Sequence, residues 1–162
     1  MLAALERLTL TATRALSVVG LIALMGLAAM TLADGLLRWL ANRPIEGVRD
    51  LGGLAIAVAI ACCIPVGLIE RGNIAIRLGA TLHPRLGTVL DALAALAVAA
   101  ILAVAAWQFW IYAAKMARAH ETTFVLQIPI APFWFGVDAI LWAAVLVQLI
   151  VAARDWARVF AK

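Results

Sequence analysis

Residues 92–114 read ALAALAVAAILAVAAWQFWIYAA, 23 positions without one Asp, Glu, Lys, Arg or His. At 1.5 Å per residue this makes a helix of about 34 Å, enough to cross the roughly 30 Å hydrocarbon core of a bilayer. Residues 15–33 and 51–69 are equally free of charge over 19 positions each, and 122–153 holds a single charge, Asp138. In lipid every backbone group must be paired internally, and Ala- and Leu-rich runs favour helices over the alternating strands of an outer-membrane barrel. The chain is therefore expected to be all-α, a polytopic membrane protein with four transmembrane helices. Their bounds are about 12–40, 46–69, 84–118 and 131–158, within a single membrane domain over 1–162.

Composition agrees. Hydrophobic residues make up 67% of the 162 positions, far above the roughly half of soluble domains. The net charge of +4 would suggest nucleic acid in a soluble protein. Here the basic residues sit at span ends, where they meet lipid headgroups, so nucleic acid is not expected as a partner. The first run exceeds the 7 to 15 residues of a signal-peptide core, and Leu36, Leu37, Trp39 and Leu40 extend its apolar face, which favours a retained helix. Cys62 and Cys63 are adjacent within a span, a spacing that suits small packing residues better than a disulfide or a metal site.

Arg7, Arg14, Arg71, Arg77, Arg85, Arg154, Arg158 and Lys162 fall on one side of the membrane, against Arg38, Arg43, Arg49, Lys115 and Arg118. The positive-inside rule then places both termini in the cytoplasm, with 34–50 and 115–131 facing outward. Two stretches leave room for short interfacial helices. One is the N-terminus, with Leu2, Leu5 and Leu8. The other is 73–82, where Ile74, Leu78 and Leu82 share a helical face while Gly72 and Gly79 argue for an irregular loop. Pro84, after His83, suits the first position of the third helix.

Small residues recur every four positions on helix 2 (Gly53, Ala57, Ala61; Ala55, Ala59, Cys63, Gly67) and on helix 3 (Ala95, Ala99, Ala103). Such rows allow close approach, so helices 2 and 3 are expected to form the packing centre, with Pro65 bending helix 2. Trp39, Trp107, Trp110, Tyr112, Phe133, Trp134 and Phe135 form an aromatic belt at the outer headgroups, and Trp156 marks the cytoplasmic end.

The spans carry little chemistry. No His lies within them, which excludes paired haem ligation inside this subunit. There is no HExxH pair, no Ser-His-Asp arrangement and no phosphate-binding glycine loop, so neither an enzyme nor a cofactor is expected. Asp138 is the exception, with Trp134 and Trp142 on its own face at i−4 and i+4. It reads either as a proton or ion site or as a polar clamp to Lys115, Tyr112, Gln108 or a partner chain, and the clamp is favoured because the carboxylate lies near the outer interface. Glu46, Arg49 and Asp50 cluster at the entrance of helix 2, where acidic residues suit the positive helix N-terminus.

Three landmarks, in order, carry a resemblance: Arg43-Pro44-Ile45-Glu46 before the second helix, Glu70-Arg71-Gly72-Asn73-Ile74 after it, and Thr123-Phe124-Val125-Leu126-Gln127-Ile128-Pro129 before the fourth. With four spans between them, the chain resembles the small membrane subunit of tripartite ATP-independent periplasmic (TRAP) transporters. The acid before helix 2 is often doubled in that family, whereas Gly47 follows Glu46 here; Arg77 stands where an acid is common, and Asp138 enters an aromatic-rich opening.

The resemblance implies sodium-driven uptake of organic acids across a bacterial inner membrane. A periplasmic substrate-binding protein delivers to a large membrane subunit, and the small subunit braces that subunit's static scaffold. Its partners would be those two proteins and lipid, with Glu46, Arg49, Asp50, Arg71, Asn73, Arg77, Gln127, Pro129 and Asp138 as contact or structural residues. Segments 34–50 and 119–131 would meet the binding protein. Two rivals are an autonomous small multidrug-type exporter acting as a homo-oligomer, and a membrane anchor for a redox enzyme. The first is opposed by a first span without an acid, the second by spans without His.

Overall fold

The structure, a computed structural model, describes residues 2–69 and 84–160. The expected interfacial segment 73–82, with Arg71, Asn73, Arg77 and His83, lies outside the described residues. Four helices make up the fold: α1 (Leu2–Ala41), α2 (Val48–Ile69), α3 (Pro84–Arg118) and α4 (Ala131–Phe160). Each contains a stretch long and apolar enough to cross a membrane, with mean hydropathy between 2.2 and 2.5. Helix α1 runs unbroken through the N-terminal leucines, because residues 2–14 hold no Gly or Pro to interrupt it. At 40 residues it is about 60 Å long, well beyond the bilayer core. Helix α2 continues through a buried Pro65.

The helices pack in the order α1–α2–α4–α3. This corrects the expectation that helices 2 and 3 meet at the centre, since α4 lies between them. Its Val137, Leu141 and Val145 are buried against Ala57, Val58 and Ala61 of α2 on one side and Leu102, Ala103 and Ala106 of α3 on the other. Further along, Ala144 and Val147 meet Leu68 of α2 and Val98 of α3. The rows of small residues do permit close approach, but Ala57, Ala61 and Ala103 receive the larger Val and Leu side chains of α4 rather than each other, while Ala59 lies against Gly20 of α1. Gly53 and Gly67 of those rows have open space where a side chain would stand.

A polar bond joins α4 to α3 across the core. Gln148 is 3% exposed and donates from Nε2 to the Ala95 carbonyl of α3 at 3.0 Å. Interhelical hydrogen bonds in lipid are individually modest, so Gln148→Leu is expected to cost only about 0.5–1.5 kcal/mol. Unfolding of the purified chain by a denaturing detergent measures that cost, and a loss of several kcal/mol would mean that the side chain does more than join α4 to α3.

Helix α1 packs along a single seam with α2. Along this seam a Cβ on Gly20 would lie 2.9 Å from Cys62 Cβ and 3.1 Å from the Ala59 carbonyl oxygen. Cys62 is buried there as a packing residue, while Cys63 is exposed. The rest of α1 presents Val18, Val19, Leu21, Ile22, Met25 and Leu32 outward.

Candidate functional site

Both described connections, 42–47 and 119–130, lie at the same end of the bundle, and two aspartates organise them. Asp34, near the end of α1, accepts from the Ile45 amide at 2.6 Å and from Arg38, one turn on, at 3.1 Å. A carboxylate close to a helix C-terminus opposes the helix dipole, so its place there has to be compensated by partners of this kind. The sequence reading passed over Asp34; that dipole conflict, with Arg38 at i+4, is the signal that could have found it.

Helix α2 is then entered through Gly47, whose φ of +85° is strained for any residue with a side chain. A Cβ at this position would also meet Leu126 at 2.6 Å. The second acid that the family often carries after Glu46 would therefore strain the backbone here and displace the Leu126 side chain.

The connection from α3 to α4 is a short hairpin. The Thr123 amide donates to the Ile128 carbonyl at 2.9 Å, and the Ile130 amide to the Glu121 carbonyl at 3.2 Å, on either side of a bridge between Thr122 and Pro129. Thr123 Oγ1 accepts from the Ile128 amide at 3.1 Å. Gln127 takes φ +52° and returns its side-chain amide to the Phe124 carbonyl at 3.2 Å. The tip leaves two backbone donors, and Asp50 of α2 takes both: its Oδ2 accepts from the Val125 amide at 2.8 Å and the Leu126 amide at 3.1 Å.

Asp50 was expected as a helix-end charge in solvent; it is instead a latch between α2 and the hairpin. Glu46 and Arg49 stand exposed beside it. Asp50, Gln127 and Pro129 are thus brought together, while Phe124, 96% exposed, projects from the tip. In Asp50→Ala the Val125 and Leu126 amides are expected to exchange with deuterium markedly faster while amides within α3 are unchanged. Unchanged protection at both positions would show that the latch does not hold the hairpin.

Residues 27–160 match the family of tripartite ATP-independent periplasmic transporters, DctQ component. The chain belongs to the DctQ family. No curated protein and no solved structure matches it. DctQ chains are components of transporters, so the hairpin and its latch belong to a transport assembly, as the three landmarks implied. Two of those landmarks, Arg43–Glu46 and Thr123–Pro129, lie in the two described connections, the first held by Asp34 through the Ile45 amide and the second by Asp50 of α2.

Asp138 lies apart from that rim. It is 2% exposed, and its Oδ1 has no hydrogen-bond partner among the described residues. The expected clamp to Lys115, Tyr112 or Gln108 does not form, because Lys115 and Gln108 point to the exposed surface and the Tyr112 ring packs edge-on against Trp134 at 5.4 Å. Trp134 also touches Phe109 at 5.9 Å, and Trp110 meets Phe135 at 5.3 Å. Part of the aromatic belt is therefore an interhelical cluster between α3 and α4, whereas Trp39 and Trp107 are exposed. Among the described residues no three of His, Cys, Asp and Glu gather where they could hold a metal ion.

Proposed function

We propose that this DctQ chain is the small scaffold subunit of a sodium-coupled, binding-protein-dependent TRAP transporter for organic acids. It sits in a bacterial inner membrane with both termini in the cytoplasm and braces the large transport subunit. The observation that carries the bracing role is the Asp50 latch, which ties the first turn of α2 to the α3–α4 hairpin 75 residues further along the chain. A part that moved substrate would need its helices free to shift at this end; a brace needs them tied. The unpartnered apolar face of α1 supports the same reading, because it offers a long surface to lipid and to a large membrane partner.

Under this reading the latched hairpin faces the periplasm, and Phe124 with Glu121 and Gln127 contacts the binding protein. The cheapest test is isolation in mild detergent through a tag on this chain. Co-isolation with a large multi-span subunit is expected. A stable homo-oligomer that transports by itself would overturn the proposal in favour of a small exporter.

A further inference from the structure

We propose that Trp134 and Asp138 hold one buried water molecule, which completes a polar pair on α4 that no side chain reaches. The two residues stand one turn apart on α4, at the i and i+4 spacing that makes side chains neighbours on one face of a helix. Trp134 Nε1 is a buried donor and Asp138 Oδ1 a buried acceptor, and among the described residues neither has a hydrogen-bond partner. Stranded groups of this kind carry a penalty comparable to a lost hydrogen bond, and in folded proteins ordered water commonly relieves it.

The surroundings exclude the other partners. Phe109 and Tyr112 pack their rings against Trp134. Of the described charged side chains on the two helices that pack against α4, Asp50 is engaged with the hairpin, and Arg49, Asp91, Lys115 and Arg118 are exposed. Asp138 is itself only 2% exposed.

The chemistry of the pair then selects the occupant. A cation would satisfy the carboxylate but face the positive end of the indole N–H. An anion would satisfy the indole but face the carboxylate. Water accepts from Trp134 and donates to Asp138, and so serves both. The site fixes the first turns of α4 between α2 and α3, directly below the hairpin.

The indole resonance of Trp134 in the 15N-labelled full-length chain, identified by its loss in Trp134→Phe, reports on this site. A cross peak to long-lived water is expected in the wild type. Asp138→Asn, which keeps an acceptor oxygen, should retain it, and Asp138→Leu should abolish it. The absence of that cross peak in the wild type, or its survival in Asp138→Leu, would overturn the proposal. So would a shift of the resonance when sodium chloride replaces choline chloride, which would assign a cation site. The water cross peak and the sodium comparison use unmodified Asp138, so the proposal stays testable even where Asp138→Leu fails to fold.

Discussion

Gly20→Leu is expected to be the most damaging single substitution in the bundle, costing about 3 kcal/mol and releasing α1 from α2. The reason is what lies opposite. A Cβ at Gly20 would already stand 2.9 Å from Cys62 Cβ and 3.1 Å from the Ala59 carbonyl oxygen, and the second of these is backbone that moves only if α2 moves. Two effects compete in the milder Gly20→Ala. A helical Gly→Ala gains about 1 kcal/mol of propensity, whereas overpacking costs about 1–3 kcal/mol, so a net loss is expected. Gly26 on the same helix has nothing within 4 Å of its Cβ direction and supplies the control, since Gly26→Ala should be neutral or stabilising. Unfolding by a denaturing detergent ranks the three variants. Wild-type stability in Gly20→Leu would show that the seam is looser than described.

Phe124→Glu is expected to reduce binding-protein-dependent uptake by about tenfold or more while the complex still assembles. A fully exposed aromatic ring on a hydrogen-bonded loop is the type of residue that dominates a protein interface, and a charge in its place must be desolvated on docking. Its loss should leave the fold intact, because the ring makes no packing contact that the bundle depends on. The informative readout is uptake against binding-protein concentration: the half-saturating concentration should rise, with the maximum approached only at high concentration. Unchanged uptake would remove the hairpin tip from the interface.

Much of the architecture was legible from residue types alone. Excluding charge from about 20 consecutive positions has one physical explanation, so the four spans could be read directly, and Pro84 marked the start of α3. The arrangement of the helices was not legible in the same way. Rows of Gly and Ala report that something comes close but not which helix it is, and α4 rather than α3 fills the space beside Ala61. The latch was hidden for a different reason. Asp50 is an ordinary first-turn acid by position, and only folding brings it to amides 75 and 76 residues away. Asp138 was conspicuous in sequence as the lone charge in its run, yet that its buried Oδ1 has no partner among the described residues appears only once α2 and α3 have closed around α4. Gly47 stood out as a departure, and its positive φ beside Leu126 accounts for it.

The central claim is that this chain supports transport without carrying it. Proteoliposomes under an inward sodium gradient test it most directly, by comparing organic-acid uptake with this chain alone, with the large subunit and binding protein alone, and with all three. The account predicts uptake in the complete system only. Uptake by this chain alone, or full uptake without it, would contradict the account.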